Sequence, residues 1–255
     1  ISGEHQISVA YAESNIGYNF FDVVTAVDEK DGKLLLNGSK LLVLNAANSN
    51  QYIVLVNYNS EISLVLVDKE SKGLTLQSFK TLDGQTCGEI TFENVLLNQD
   101  SILAHGKNAK RLFNKMLDIS ILCICAESVG AMTASYQKTV QYTKEREQFG
   151  QPISNFQVLQ HRMVDMFIET EITKSLLIKA TLQLDMNEPE ASKTISALKV
   201  QVGKAGKLVG QQAVQLHGGM GVSNEMSIGH YLKRFTAIDA MFGNTQHHLN
   251  KYITI

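Results

Sequence analysis

Two short stretches carry residue types that could bind an anion. In "REQFGQPISNFQ", Arg146 stands at the predicted end of a helix, beside a Gly-Pro turn. A guanidinium there can pair with phosphate oxygens, although a solvated helix end would carry the same charges. In "QLHGGMG", Gly218 and Gly219 would let a ligand approach the backbone closely, but glycines also commonly end helices. Each stretch alone is a weak signal.

The glycine stretch does not match the common nucleotide-binding motifs. The G-x-x-x-x-G-K-[ST] spacing of a P-loop is missing from it. It ends a predicted helix and follows no strand, which excludes a Rossmann fingerprint. His217 could act as an acid or a base, yet a lone histidine at a helix end more often caps carbonyl groups.

Metal binding, nucleic-acid binding and membrane insertion are not predicted. His247 and His248 are adjacent, and neighbouring helical side chains point about 100° apart, so they do not share an ion easily. Cys123 and Cys125 lack the spacing and second ligand pair of a zinc site, which favours buried, reduced thiols. The net charge is −2, and no signal peptide or long uncharged apolar run is evident. With an odd number of cysteines, this predicts a cytoplasmic location.

The elements that must position these residues fall into two parts. Residues 1–103 contain short strands rich in Val, Ile and Leu, with Asp31-Gly32 as a hairpin signal and Asn37-Gly38 as a second turn candidate. This pattern predicts an antiparallel β-barrel or sandwich domain. Residues 104–255 show helical periodicity and predict an antiparallel four-helix-type bundle. The predicted fold class is therefore α+β.

Four motifs gain weight as an ordered set: "LNGSKLLVLN", "REQFGQPISNFQVLQ", "QLHGGMG" and "YLKRFTAIDAMFGNTQHHL". In this order the chain resembles the acyl-CoA dehydrogenases from residue 1 to 255, as their middle β domain followed by their C-terminal helical domain. "CAESVGAM", "FQVLQHRMVDM" and "FGNTQHHL" look like the small subunit of bacterial two-component enzymes such as pimeloyl-CoA dehydrogenase. The resemblance aligns the start of the sequence with the β domain, so we expect an interior fragment without the family's N-terminal helical domain.

The resemblance implies α,β-dehydrogenation of an acyl-CoA thioester with FAD as cofactor. A carboxylate removes the α-proton, and the flavin accepts the β-hydrogen as hydride. The implied partners are an acyl-CoA substrate, a homologous chain in a homo- or hetero-tetramer, and an electron-accepting flavoprotein. The implied location is the bacterial cytoplasm, with no nucleic acid and no membrane among the partners.

The resemblance also assigns cofactor-binding residues. Arg146, Gln148 and Phe149 match the motif that holds the FAD pyrophosphate of a neighbouring subunit, and Ile153 and Phe156 fall near its adenosine end. Gln215, Gly218 and Gly219 match positions that lie along the same dinucleotide. Thr245 and His247 match positions beside the flavin ring.

The chain's own flavin ring site and its catalytic base are expected to be missing. Where the family carries Thr, Pro and a later Ser, this sequence has Ala12, Ser14 and Tyr18. Where it carries Trp and Thr, this sequence has Leu42 and Leu44. The two positions where family members carry the base match Gly243 and Ser120, so no catalytic residue is assigned. Asp118, Glu127 and Asp239 are nearby acids without an assigned role.

Three hypotheses follow. The first is a subunit of a flavin-dependent acyl-CoA dehydrogenase that supplies the ADP-side half of an FAD site, with its own ring pocket and base degraded. The second is an active homo-oligomer whose base has moved, with Glu127 or Asp118 as candidates. The third is a non-catalytic assembly subunit that keeps the fold for oligomerisation.

Overall fold

A computed structural model describes residues 2–14 and 17–254. The chain forms two compact units that divide between Met116 and Leu117. The first unit holds a β-sheet, and most of the helices lie in the second. This confirms the α+β class.

One sheet organises the first unit, in the spatial order β6-β7-β3-β2-β4-β5-β8, with β1 also paired to β4. Its strands are β1 (Ile7–Ala10), β2 (Ala26–Lys30), β3 (Lys33–Leu44), β4 (Gln51–Tyr58), β5 (Glu61–Asp68), β6 (Leu74–Lys80), β7 (Thr86–Leu97) and β8 (Ile102–His105).

The sheet is mixed, so the prediction of an entirely antiparallel domain is wrong for two strand pairs. β1 runs parallel to the first half of β4, and β2 runs parallel to its end. Parallel neighbours need long connections, and the chain between β2 and β4 includes the whole of β3. The tight-turn signals in the sequence predict antiparallel strand pairs, and they carry no information on the parallel pairs.

The two turn predictions have different outcomes. Asp31 and Gly32 have φ values of 51° and 71° and join β2 to β3 with Lys30 opposite Lys33, which confirms the hairpin. Asn37-Gly38 is instead an irregularity inside β3, where the register with β7 shifts. Gly38 has φ 134°, and a Cβ atom there would lie 2.7 Å from Thr25 Cα, so this bulge needs glycine.

Apolar residues from the inner faces of the strands form the core of the first unit. β5 is buried along most of its length and β4 along half of it, which fits their runs of Val, Leu and Ile. The largest buried side chains of this core include Tyr52 and Phe92, and the Tyr52 hydroxyl donates to Ala46 O at 2.9 Å.

The described residues form five α-helices in the part of the chain where the sequence predicts a helical bundle. They are α1 (Gly106–Glu145), α2 (Gln157–Asp185), α3 (Ala191–His217), α4 (Ser227–Ala240) and α5 (Thr245–Thr254). α3 packs against α2, α4 and α5, and about half of its residues are buried. Met132 of α1, Met166 of α2, Val209 of α3 and Phe235 of α4 meet in one core cluster.

Helix α1 is long and apolar enough to cross a membrane by length and composition alone. However, 44% of its most apolar window is buried inside the protein, and core helices of soluble proteins pass the same test. Cys125 is buried on this helix and Cys123 is exposed, so the expectation of buried thiols is wrong for Cys123. Residues two apart on a helix point in nearly opposite directions, which accounts for the difference.

Candidate functional site

A small hairpin at the end of α1 presents the first group of predicted binding residues. Arg146 N donates to Tyr142 O at 2.8 Å, so the helical pattern continues to Arg146. Two-residue strands follow, β9 (Glu147–Gln148) and β10 (Gln151–Pro152), and pair in antiparallel fashion. Phe149 and Gly150 form the turn with φ values of 55° and 77°, and Phe149 is 93% exposed.

Arg146 is available to a ligand. Its side chain is exposed, and among residues 2–14 and 17–254 it makes no hydrogen bond or ion pair. Ile153 N donates to Arg146 O at 2.8 Å, which ties the return strand to the end of α1. The Phe149 and Phe156 rings meet edge to face with 6.1 Å between centroids. The hairpin therefore fixes the backbone on both sides of a free guanidinium.

The glycine stretch is the end of α3, as expected. Gly218 has φ 59° and stops the helix, and residues 218–222 continue as a short 3-10 turn. Gln215, Gly218 and Gly219 are exposed, and a Cβ atom at either glycine would meet nothing within 4 Å. The backbone here is open to a bulky ligand.

His217 connects these two regions. It is buried, and its ring lies almost parallel to that of Tyr142, with 4.2 Å between centroids. Its Nδ1 lies 2.8 Å from Ala213 O, and because a carbonyl only accepts, Nδ1 carries the proton. Burial lowers the pKa of His217, so the ring is neutral near pH 7. The stack holds the ends of α1 and α3 side by side.

Thr245 and His247 belong to a different part of the same unit. Thr245 starts α5 and faces Gly203, near the middle of α3, where an added Cβ would collide with the Thr245 hydroxyl. Gly203 and Gly218 are 15 residues apart, which is about 22 Å along a helix. The predicted binding residues therefore form two separate groups in one chain.

Position 243 is closed to a side chain. Gly243 has φ 106°, and a Cβ atom there would lie 2.5 Å from His247 Cδ2 and 2.8 Å from His248 Nε2. The preceding Phe242 also has a positive φ of 56°. The loop between α4 and α5 thus has a backbone that favours glycine, and two histidine rings fill the space above it.

Two buried side chains hold this loop. Lys199 of α3 donates to Asp239 O at 2.9 Å and to Gly243 O at 2.7 Å, and burial lowers its pKa to about 8. His248 Nε2 donates to Phe242 O at 3.0 Å, and burial lowers the pKa of His248 to about 3. These donors bind the carbonyl groups of residues 239, 242 and 243 and so hold the backbone of the loop.

The three candidate acids are in unlike environments. Glu127 forms a bidentate pair with Arg234, at 2.6 and 2.7 Å, and is exposed. Asp239 Oδ1 accepts from Thr245 N at 3.1 Å and from Thr245 Oγ1 at 2.7 Å. Asp118 is half-buried, burial raises its pKa, and its nearest cation is Lys251 at 4.0 Å. Of the three, Asp118 is the least committed to a strong partner.

The remaining groups near α5 have structural partners. His247 N donates to Asn244 Oδ1 at 2.9 Å, and burial lowers the pKa of the half-buried His247 ring. The described residues contain no group of three His, Cys, Asp or Glu side chains that could hold a metal ion.

In the first unit, the region matched to the family's ring site keeps a buried scaffold. Glu13 accepts from Lys40 Nζ at 2.6 Å, Val24 N at 2.9 Å and Thr25 N at 3.1 Å. Lys40 is fully buried, and desolvation lowers its pKa to about 8. The pair ties the segment before β2 to β3.

The side chains around this scaffold offer few polar groups. Leu42 is 54% exposed at φ 50°, in the irregular part of β3 between Lys40 and Val43. Leu44 ends the same strand, and Ala12 lies in a bridge to Leu41. The Tyr18 ring packs edge to face on Phe20, at 6.3 Å between centroids.

The two halves of a flavin dinucleotide fit this chain differently. A diphosphate and adenosine suit the free Arg146 guanidinium, the open backbone at Gly218 and Gly219, and the exposed Phe149 ring. An isoalloxazine ring needs hydrogen-bond partners for its nitrogen and oxygen atoms, and the side chains of Ala12, Leu42 and Leu44 supply none. These three positions therefore add no side-chain hydrogen bonds to a flavin ring.

Sequence reasoning missed the residues that support these sites. Lys199 could have been found, because it interrupts the apolar stripe of Ile195, Leu198 and Val202 on α3. Glu13 and Lys40 are 27 residues apart and their pairing leaves no local signal. The contact between Tyr142 and His217 likewise depends on the packing of two distant helices.

Two parts of the chain match domain models of one protein family. The family model "Acyl-CoA dehydrogenase, C-terminal domain" matches residues 111–253, and "Acyl-CoA dehydrogenase, middle domain" matches residues 8–95. The chain belongs to the acyl-CoA dehydrogenase family. The comparisons do not show a specific resemblance to pimeloyl-CoA dehydrogenase, and that narrower resemblance stays a prediction.

Similar proteins and structures agree with this family. The chain is 29% identical over 244 residues to a mitochondrial 2-methylacyl-CoA dehydrogenase of Solanum tuberosum, covering 91% of this chain and 58% of that protein. Butyryl-CoA dehydrogenase from Megasphaera elsdenii superposes with a TM-score of 0.88 at 23% identity, over 97% of this chain and 67% of that one. A structure of PigA with FAD and proline gives 0.91 at 22% identity, over 96% and 66%. The chain thus spans less than two thirds of the length of the Solanum tuberosum protein.

Proposed function

We propose that this chain is a subunit of an FAD-dependent acyl-CoA dehydrogenase, and that it completes the ADP-side half of an FAD site belonging to a neighbouring chain. The reaction is α,β-dehydrogenation of an acyl-CoA thioester, for which FAD supplies the hydride acceptor. The bacterial cytoplasm is the proposed location, with an electron-accepting flavoprotein as the proposed redox partner.

The observation that carries this proposal is the contrast between the two groups of residues in the second unit. Arg146 and the Gly218–Gly219 backbone are exposed and open. Gly243, at the position that the resemblance assigns to the base, has no room for a side chain. A chain of this kind offers a cofactor half-site without a proton acceptor at the expected place.

Flavin content tests the proposal. The chain purified alone should hold little flavin and show no dehydrogenation of acyl-CoA thioesters. Co-expressed with a homologous chain that carries an intact ring site, it should enter an assembly with fewer flavins than subunits. One bound FAD per chain in the isolated protein, with turnover, would refute the proposal.

The second candidate is a homo-oligomer with a relocated base. The environments of the two candidate acids favour Asp118 over Glu127 as that base. A general base works best when its pKa lies close to the working pH, and burial moves the pKa of Asp118 in that direction. Asp118→Asn in a flavin-containing preparation should abolish turnover while flavin is retained, if this candidate is right. The third candidate, an assembly subunit, predicts that Arg146→Ala has no effect on flavin.

A further inference from the structure

The two parts of the ADP-binding half-site lie on different helices. Arg146 follows the end of α1, and Gly218 follows the end of α3, 72 positions later in the chain. A diphosphate that contacts both parts depends on their separation, and a helix end has little intrinsic rigidity. Some contact must therefore fix one end against the other.

The stack of Tyr142 on His217 is placed to do this. Tyr142 O accepts the backbone hydrogen bond of Arg146 at 2.8 Å, so the tyrosine lies one turn before the guanidinium. His217 is the residue directly before Gly218. The rings stack at 4.2 Å with 22° between their planes. One hydrogen-bonded helical turn separates Tyr142 from Arg146, and one peptide bond joins His217 to Gly218.

Each ring is itself held in place. His217 Nδ1 bonds Ala213 O at 2.8 Å, and the glycine turn folds back so that a Cβ atom at Gly221 would lie 3.1 Å from His217 Cβ. His217 Nε2 is buried without a hydrogen-bond partner among the described residues. Its ring therefore contributes a flat packing surface here, and no exposed acid or base.

We propose that Tyr142 and His217 are positioning residues, whose stack sets the separation between the Arg146 guanidinium and the Gly218–Gly219 backbone and so determines the affinity for ADP. This rests on the proposed function, since it takes ADP as the part of the cofactor bound by this chain. Neither ring needs to touch the ligand.

The test measures binding of ADP to the chain by titration calorimetry and ligand-observed NMR. Tyr142→Leu removes the stack and should weaken ADP binding roughly threefold to tenfold, the range expected for loss of an aromatic pair. Tyr142→Phe keeps the ring and loses only a long 3.4 Å hydrogen bond to His217 O, so its affinity should match wild type.

Tyr136→Leu is the matched control, because it removes a tyrosine from the same helix that packs on Phe167, at 5.8 Å between centroids, away from the hairpin. It should lower the melting temperature as much as Tyr142→Leu and leave ADP affinity unchanged. The positioning role is overturned if both leucine variants lose ADP affinity equally, or if neither variant loses affinity. If Arg146→Ala weakens ADP binding while Tyr142→Leu does not, only this inference fails. If the wild-type chain binds no ADP, the proposed function fails with it.

Discussion

At the scale of single residues, Gly243 leaves no carboxylate at the position that the resemblance assigns to the base. A carboxylate at this position would need a Cβ atom within 2.5–2.8 Å of two histidine side chains, on a backbone at φ 106°. Lys199 and His248 hold the carbonyl groups of Gly243 and Phe242 in this conformation. A single substitution to glutamate therefore does not recreate a base; it first has to rearrange the loop.

Gly243→Ala should reduce the free energy of unfolding by about 2–3 kcal/mol, since strained backbone and a steric collision both oppose it. Gly130→Ala is the control, because Gly130 lies inside α1 with nothing within 4 Å of an added Cβ. That change should stabilise by about 0.5–1 kcal/mol. Urea denaturation measures both, and a neutral Gly243→Ala would show that the loop is not committed to glycine. Gly243→Glu should give no gain in dehydrogenation.

His248 makes stability depend on pH. Its pKa in the folded protein is about 3, below the value of 6.5 for an unperturbed histidine, so between these values the unfolded chain binds the extra proton. The contribution of His248 to the free energy of unfolding should be fully present above about pH 6.5. It should fall by as much as about 4 kcal/mol as the pH drops towards 3.

Replacement of the titrating ring isolates this contribution. His248→Gln keeps an amide donor for Phe242 O and should flatten the fall in unfolding free energy between pH 6.5 and 3. His161→Gln changes an exposed histidine of α2 and should leave the slope near that of wild type. Parallel slopes in wild type and His248→Gln would assign the acid sensitivity to other groups.

At the scale of elements, the buried pair of Glu13 and Lys40 holds the segment before β2 against β3. Glu13→Ala leaves the Lys40 ammonium buried without a counter-ion and two backbone N–H groups without an acceptor. It should cost about 3–5 kcal/mol of unfolding free energy. Adding Lys40→Met should recover part of this loss, because the unpaired charge is removed.

Thermal and urea unfolding of the single and double variants measure this coupling. Glu171→Ala, which breaks an exposed pair with Lys174 at 3.8 Å, provides the comparison and should change stability by less than about 0.5 kcal/mol. Strictly additive effects of Glu13→Ala and Lys40→Met would mean that the pair does not act as one unit.

The sequence predicts those features of the fold and site whose signals lie within a few neighbouring residues. The helical character of the second part of the chain and the Asp31-Gly32 hairpin rest on periodicity and turn chemistry within a few residues, and both are found in the structure. The parallel pairing of β1 and β2 with β4 depends on long connections that no local pattern encodes. Arg146 and Gly218 could be singled out by residue type, but only helix packing brings their two helix ends together, through Tyr142 and His217.

At the scale of the whole molecule, the proposed role depends on a neighbouring chain, so the decisive variant must leave this chain intact. Arg146 is exposed and unpartnered among the described residues, and its replacement should change stability by no more than about 0.5 kcal/mol. Its loss matters only where a phosphate normally sits against it, because the charge-assisted pair is then removed.

Arg146→Ala should therefore lower the FAD content of the assembled enzyme, while subunit composition and melting temperature of the cofactor-free protein stay the same. Lys144→Ala removes an exposed cation one residue before the end of α1 and should leave FAD bound, which excludes a general effect of charge. The measurements are flavin absorbance per subunit after gel filtration, and the rate of FAD release on dilution. Full FAD retention in Arg146→Ala would favour the assembly-subunit alternative, because a chain that only supports oligomerisation has no reason to hold a diphosphate at this position.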